Sequence, residues 1–175
     1  MHEIGKILFD EATIADMVQE LGGRISRDYA GKDPMVVSIL KGAVIFTTDL
    51  MRRISCPLTV EFIQASSYGM STKPSRNVII KKDLESDIAG KHVLLVDTII
   101  DTGETFDCLM KTLSGRKPAS LNAVVLLDKV CHRLVDVPIT YRGFEIPDAF
   151  VVGYGLDYNE QFRNLPYIAM LKTES

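Results

Sequence analysis

Two aspartates four residues apart, followed by a Thr-Gly-x-Thr turn, form the segment of this sequence with the clearest chemical potential. Asp97 and Asp101 follow an apolar run, and Thr102 and Thr105 come directly after them. A turn of this kind exposes backbone N–H groups at the start of a helix, where the helix dipole adds partial positive charge. Gly103 allows the backbone to approach an anion closely. The segment therefore predicts a cradle for a phosphate monoester.

The presence of two acids beside this cradle needs an explanation, because a carboxylate repels a phosphate. Binding ribose hydroxyls, holding Mg²⁺ and accepting a proton are tasks that suit a carboxylate. A simpler interpretation is that Asp101 and Thr102 only cap the helix that follows, and the residues alone leave both interpretations open. Other phosphate motifs are absent from the sequence, since no Gly-Lys pair is followed by Ser or Thr and no GxGxxG follows a strand.

The elements that position these residues are predicted from the spacing of apolar side chains. Residues 10–30 have helical spacing, with Asp10 as the N-cap and Gly31 as the stop. Long apolar runs predict strands buried on both faces, at residues 35–40, 93–96 and 121–127. Helices are predicted to follow the first two runs, at 44–54 and up to about 113. Further strands are predicted at 58–65, 78–80, 135–144, 150–154 and 167–171, with an exposed polar loop at 66–77.

Alternation of strands and helices favours an α/β fold, with a mostly parallel twisted sheet flanked by helices. The length of 175 residues suits one domain, residues 1–175. Ligands of such sheets bind beyond the carboxyl ends of the strands. Polar residues follow three of the predicted strands, at 41–42, 97–105 and 128–129. We therefore expect these three segments to converge on one site.

Composition excludes several classes of protein. The net charge of −3 argues against a basic nucleic-acid-binding protein. No apolar run of 18 residues is present, and the N-terminal segment contains acids and no signal-peptide core, so we expect neither a membrane span nor a membrane partner. The three cysteines, Cys56, Cys108 and Cys131, form no CxxC pair and indicate reduced thiols of a cytoplasmic protein.

One family resemblance extends over nearly the whole chain. The segment VLLVDTIIDTGETF closely resembles the phosphoribosyl-diphosphate signature of the type I phosphoribosyltransferases. Shorter segments narrow the resemblance to the hypoxanthine-guanine branch: LKG at 40–42, SSYG at 66–69, LLDK at 126–129, GFEIPD at 143–148 and FVVGYGLDYNEQFRNLPYI at 150–168. The resemblance implies purine salvage, in which hypoxanthine or guanine and phosphoribosyl diphosphate give IMP or GMP and diphosphate, with Mg²⁺ as cofactor.

The resemblance also implies roles for individual residues. Asp101 is the general base for the purine N7 proton. The phosphoribosyl group is bound by Asp97, Thr98, Asp101, Thr102, Gly103, Glu104 and Thr105. Diphosphate is bound by Lys41, Gly42 and Arg163, with a cis peptide in the loop at 41–42. The purine is bound by Lys129, Phe150, Val151, Leu156 and Asp157. Metal is held by Asp97 and Asp157, and a mobile lid begins at Ser67 and Tyr68 beside a small base-covering hood.

Some of these residues have simpler interpretations when taken alone. A lysine such as Lys129 is by default a solvated loop residue, and an aromatic such as Phe150 is by default a core residue. The three histidines are scattered in the sequence, and His132 beside Cys131 is too isolated for a catalytic dyad.

The sequence departs from the family pattern at one point, because the family usually has two adjacent acids where this chain has Asp97 and Thr98. We expect Thr98 to bind a ribose hydroxyl more weakly than a carboxylate does. Binding of phosphoribosyl diphosphate or metal should then be weaker.

Two alternatives stay open for the function: a transferase that prefers xanthine, and a regulator that binds phosphoribosyl diphosphate or nucleotides without catalysis. The family commonly forms homodimers or homotetramers.

Overall fold

The computed structural model describes residues 3–68 and 77–172. Its strands are β1 (Glu3–Phe9), β2 (Met35–Ile39), β3 (Thr59–Tyr68), β4 (Asn77–Lys82), β5 (His92–Ile100), β6 (Ser120–Asp128), β7 (Tyr141–Glu145), β8 (Val151–Val152) and β9 (Ile168–Lys172). Its helices are α1 (Glu11–Asp28), α2 (Val44–Met51) and α3 (Glu104–Ser114), with a short 3₁₀ turn at Val130–His132.

The central sheet has the strand order β4-β3-β2-β5-β6-β7. Its four inner pairings, from β3 through β2, β5 and β6 to β7, are parallel, whereas β4 is antiparallel to β3. The predicted α/β fold with a mostly parallel sheet is thereby confirmed. A second sheet is antiparallel and three-stranded, with the order β1-β9-β8.

Both faces of the central sheet are covered, which explains the unbroken apolar runs of its strands. On β2, Val36 packs with the buried faces of α1 and α2, whereas Met35 and Val37 pack with α3 on the opposite face. Successive strand residues point to opposite faces, so each run is largely apolar to fill both layers, and the buried hydroxyl of Ser38 accepts a hydrogen bond from Thr47. The carboxyl ends of the strands are then free to carry polar residues.

Helix α1 begins where the sequence predicts. Asp10 accepts a 2.8 Å hydrogen bond from the backbone N–H of Thr13, and the helix ends before Gly31, which has a φ of 75°. Its buried stripe consists of Ile14, Val18, Leu21, Gly22 and Ile25. No helix within the described ranges is long and apolar enough to cross a membrane.

Several predictions about element bounds were incomplete or wrong. The predicted loop at 66–77 is wrong at both ends, because the backbones of residues 66–68 pair with β4, and residues 69–76 lie outside the described residues. The predicted strand at 135–144 begins only at Tyr141. Upstream, the N–H of Val135 donates to the Thr102 carbonyl, and Pro138 has no N–H to donate to a sheet. Helix α2 ends at Met51, and β1 was not predicted.

Candidate active site

Two of the three predicted polar segments, 41–42 and 97–105, line one cavity, although Asp97 lies within β5 and not after it. A cavity of about 370 Å³ opens at the carboxyl ends of β2 and β5. Its lining includes Leu40, Lys41, Gly42, Asp97, Asp101, Thr102, Gly103, Thr105, Leu156, Asp157 and Arg163. Lys129, at the end of β6, adjoins this set through its contact with Asp101. Parallel strands end at a common edge, so segments that are 60 residues apart in sequence share one cavity.

The turn between β5 and α3 has the geometry of an anion cradle. Gly103 has a φ of 87° and is the N-cap of α3, so no side chain occupies the N–H groups of the first turn from that position. A Cβ at Gly103 would lie 2.8 Å from the Val135 carbonyl oxygen, so only glycine fits there. Behind the turn, the N–H groups of Leu134 and Val135 both donate to the Thr102 carbonyl. The turn is thus fixed from one side and open to the cavity on the other.

Asp97 lies at the floor of the cavity and is partly buried. Burial raises the pKa of its carboxyl to about 7, against the opposing effect of a 2.7 Å hydrogen bond from the backbone N–H of Thr98. Below that pH the neutral carboxyl predominates unless a ligand brings positive charge. The site therefore favours a cation or a hydroxyl donor beside Asp97.

Thr98 occupies a different place from the one expected. Its side chain is fully buried, and its Oγ1 donates a 3.0 Å hydrogen bond to the carbonyl oxygen of Gly42. The residue therefore stabilises the loop at 41–42. Its hydroxyl was expected to contact a ribose, but in this structure it is bonded to the backbone of that loop.

The loop at 41–42 has the cis peptide that the resemblance implied, between Leu40 and Lys41. Gly155, with a φ of 95°, packs so closely that a Cβ there would lie 2.2 Å from the Gly42 carbonyl oxygen. Lys41 extends outward, where its Nζ lies 3.0 Å from Glu160 Oε2. The hydrogen bond from Lys41 and its charge lower the pKa of Glu160. Glu160 was not predicted as a site residue, and its contact with Lys41 spans 119 positions.

Arg163 faces the same loop and anchors the segment that follows β8. Its Nη1 donates to the Gly155 carbonyl at 2.8 Å, and its Nη2 lies 2.7 Å from Asp157 Oδ1. The buried Nε of Arg163 has no hydrogen-bond partner among residues 3–68 and 77–172. A guanidinium with an unused buried donor on a polar cavity is suited to an anionic ligand.

Lys129 is not a solvated loop lysine. The residue is only 7% exposed, and its Nζ lies 3.5 Å from Asp101 Oδ2 and 3.4 Å from Asp148 Oδ1. A buried ammonium needs compensating charge, and these two carboxylates supply it. Asp148 is a residue of this cluster that the sequence did not single out.

A histidine and an arginine complete the surroundings of Asp101. The Nδ1 of His132 lies 2.5 Å from Asp101 Oδ1, and the Nε of Arg133 donates to the Asp101 carbonyl at 3.1 Å. Arg133 also forms an ion pair with the fully buried Asp128. None of these partners was predicted, because the contacts of His132 and Arg133 with Asp101 span 31 and 32 positions and no local motif indicates them.

One aromatic ring is exposed in the segment that the resemblance assigns to binding of the purine. Phe150 is 48% exposed, so the interpretation as a core residue is wrong, and its ring meets that of Tyr158 edge to face at 5.5 Å. Val151 and Leu156 are buried, and only Leu156 of the two lines the cavity. Ser67 and Tyr68 lie at the end of β3, and their side chains lie outside the described residues.

The residues present can accept a divalent cation only together with a ligand. The described residues contain no group of three or more His, Cys, Asp or Glu side chains that could hold a metal ion by themselves. Asp97 and Asp157 nevertheless line one cavity. Mg²⁺ commonly binds through one or two carboxylates and completes its shell with water and substrate phosphates. The donor set therefore fits magnesium bound to a phosphorylated substrate.

Comparison with known proteins gives concordant matches. A model of the phosphoribosyl transferase domain matches residues 5–159. The hypoxanthine-guanine phosphoribosyltransferase of Bacillus subtilis (strain 168) is 44% identical over 171 residues, which cover 98% of this chain and 95% of that protein. The crystal structure of a hypoxanthine phosphoribosyltransferase from Staphylococcus aureus aligns with a TM-score of 0.93 at 44% identity, covering 97% of this chain and 92% of that one.

A further relative is much longer than this chain. The bifunctional protein TilS/HprT of Listeria monocytogenes serotype 4b (strain F2365) is 45% identical over 175 residues. The match includes 99% of this chain but spans only 27% of that protein. The similarity therefore concerns one part of the bifunctional relative.

Proposed function

Because this chain belongs to the phosphoribosyl transferase domain family, we propose that it joins hypoxanthine or guanine to the ribose of phosphoribosyl diphosphate, forming IMP or GMP and diphosphate. One observation carries the proposal: Asp101 lines the cavity, directly precedes the N-terminus of α3 and lies 3.5 Å from the buried ammonium of Lys129. A sugar phosphate held by the helix N-terminus would bring its anomeric carbon near a base held by the ammonium.

The phosphoribosyl group is bound at its two ends. The backbone N–H groups of residues 101–105, including that of Glu104, and the hydroxyls of Thr102 and Thr105 hold the 5′-phosphate at the start of α3. The loop of Lys41 and Gly42, together with Arg163, holds the diphosphate, and the unused Nε of Arg163 supports this assignment. Between them, Asp97 takes the ribose hydroxyls.

Asp101 and Lys129 act on the purine. The Asp101 carboxylate accepts the proton of N7 as N9 attacks the anomeric carbon, and its negative charge favours the cationic ribose of the transition state. Lys129 turns from Asp101 to the 6-oxo group and stabilises the charge that moves onto this oxygen. A 6-amino group offers no such acceptor, so oxopurines are preferred over adenine.

The remaining purine contacts come from the segment after β7. Phe150 stacks on the ring, the backbone of Val151 binds its edge, and Leu156 packs beside it. The half-exposed ring of Phe150 supports this role, because an unstacked aromatic face is available to a ligand. The backbone near Asp157 faces the purine 2-substituent and so distinguishes hypoxanthine, guanine and xanthine.

Magnesium is the proposed cofactor, held by Asp97 and Asp157 with the substrate's own oxygens. When bound, the ion neutralises charge on the diphosphate and so favours its departure. The antiparallel sheet of β1, β9 and β8 is the proposed hood over the base. The segment that begins at Ser67 and Tyr68 is the proposed lid, which excludes water from the ribosyl cation. We further propose a single domain that acts in the cytoplasm as a homodimer or homotetramer.

A turnover assay tests the function directly. Diphosphate release is measured with hypoxanthine, guanine, xanthine and adenine, each with and without Mg²⁺. We expect Mg²⁺-dependent turnover with hypoxanthine or guanine, and no turnover with adenine. Faster turnover with xanthine than with the other bases would establish the xanthine-preferring transferase. Binding of phosphoribosyl diphosphate without release of diphosphate would establish the regulator.

Replacement of the general base sharpens that assay. Asp101→Asn removes the proton acceptor but leaves the backbone of the cradle in place, so we expect kcat to fall about 10²- to 10⁴-fold while IMP binding, measured by calorimetry, changes little. Asp107→Asn is the matched control, because Asp107 is also in the first turn of α3 but pairs with Lys111. Normal turnover in Asp101→Asn would remove Asp101 from this role.

A further inference from the structure

The imidazole of His132 is in direct contact with the carboxylate that the proposed function uses as general base. Its Nδ1 lies 2.5 Å from Asp101 Oδ1, and both side chains are about half exposed, 49% and 47%. A ring nitrogen at this distance from an ionised carboxylate carries the hydrogen, so Nδ1–H donates and Oδ1 accepts. This bond restricts rotation of the Asp101 side chain.

The backbone around His132 holds the imidazole in this position. His132 lies in the 3₁₀ turn after β6, where its N–H donates to the Lys129 carbonyl at 3.2 Å. One residue further, Arg133 donates to the Asp101 carbonyl, and its own guanidinium is paired with buried Asp128. The turn that carries His132 is thus joined to the backbone of Asp101 itself. The imidazole and the carboxylate are held together by more than their own contact.

The two oxygens of Asp101 have different partners. Oδ1 accepts from His132, whereas Oδ2 faces Lys129 at 3.5 Å, and Lys129 is shared with Asp148. In the proposed reaction Lys129 turns to the purine oxygen, which releases Oδ2. Oδ1 keeps its bond to His132 throughout. The carboxylate then presents one oxygen, in a fixed orientation, to the purine.

We propose that His132 is a positioning residue that orients Asp101 for proton transfer, an inference that rests on the proposed function. In this step the N7–H bond breaks and an Oδ2–H bond forms, while the freed electron pair stays in the purine ring. N9 bonds to the anomeric carbon, and the diphosphate leaves with the electron pair of its bond to that carbon. His132 keeps its Nδ1–H and does not exchange a proton in this step.

Three substitutions separate this role from a structural one. Asn places an amide N–H near the position of Nδ1, Gln places it near Nε2, and Leu has no donor. We expect His132→Leu and His132→Gln to lower kcat about fivefold, with the KM for phosphoribosyl diphosphate changed less than about twofold. His132→Asn should keep kcat within about twofold of wild type, since its amide N–H replaces that of Nδ1.

The control is His92→Leu, which removes a histidine that is hydrogen-bonded to Ser120 on β6 and should leave kcat unchanged. Equal kcat in His132→Leu and the wild type, or an equal loss of kcat in His132→Asn and His132→Leu, would overturn the role of His132 alone. Absence of diphosphate release by the wild-type protein would overturn the proposed function and this inference with it.

Discussion

Thr98 donates a 3.0 Å hydrogen bond from its hydroxyl to the carbonyl oxygen of Gly42, across 56 positions of sequence. The bond joins the strand that carries Asp97 to the loop proposed to bind diphosphate. Since Thr98 is fully buried, the bond is shielded from competing water. The residue where this chain departs from the family pattern therefore has a role in supporting the backbone of the loop.

Loss of this bond should weaken binding of phosphoribosyl diphosphate. Thr98→Val keeps the shape of the side chain but leaves the partly buried carbonyl of Gly42 without its donor, at a cost of about 1 kcal/mol. We expect the KM for phosphoribosyl diphosphate to rise about fivefold or more, with a smaller change in the KM for the base. Thr98→Ser is the matched control, because it keeps the hydroxyl, and steady-state kinetics should give near-normal values. Equal KM values in Thr98→Val and Thr98→Ser would contradict this role.

Introduction of the acid that the family usually has should not improve this protein. In Thr98→Asp a carboxylate oxygen would face the Gly42 carbonyl oxygen, so two acceptors would meet in a buried position. We expect the free energy of unfolding to fall by roughly 3 kcal/mol at pH 8, measured by urea denaturation, with a higher KM for phosphoribosyl diphosphate. A lower KM in this variant would show that the acid reaches the ligand and not the loop.

Close packing of Gly155 against Gly42 should make even a methyl group harmful. Gly155 has a φ of 95°, and its Cβ would lie 2.2 Å from the Gly42 carbonyl oxygen. We expect Gly155→Ala to displace the loop and raise the KM for phosphoribosyl diphosphate about tenfold. Gly90→Ala is the control, because Gly90 has a φ of 70° with nothing within 4 Å of its Cβ. That variant should lose only roughly 1 kcal/mol of stability, the cost of placing alanine in a left-handed backbone conformation. A similar KM for phosphoribosyl diphosphate in both variants would refute the steric argument.

Stability without ligands should depend on pH through Asp97. Burial raises the pKa of this carboxyl from 3.8 to about 7, so the folded state binds the proton more tightly than the unfolded state between these values. Stability therefore falls as pH rises from about 4 to 7, by on the order of 2–4 kcal/mol. We expect Asp97→Asn to gain stability relative to wild type between pH 5 and pH 8 in urea denaturation. Asp107→Asn should not gain stability in this range. Parallel curves of unfolding free energy against pH for Asp97→Asn and wild type would exclude the effect.

Local patterns in the sequence predicted the framework of the site, because their physical causes are local. The runs of β2, β5 and β6 are largely apolar since both faces of the sheet are covered, and the turn at 101–105 indicates an anion cradle through its glycine and its hydroxyls. Asp10 caps α1 as its position predicts. Weak signals failed, as at residues 135–140, where no strand forms and the backbone N–H of Val135 bonds to the Thr102 carbonyl.

Only the tertiary structure decided how the functional groups pair with one another. His132 on Asp101, Thr98 on Gly42 and Lys41 on Glu160 are contacts between segments 31 to 119 positions apart. Such contacts depend on which strands lie side by side and where each one ends, and no spacing within a short segment encodes this. The residue types that could do the chemistry were therefore visible in the sequence, whereas the partners that orient them emerged only when the sheet brought its strand ends together.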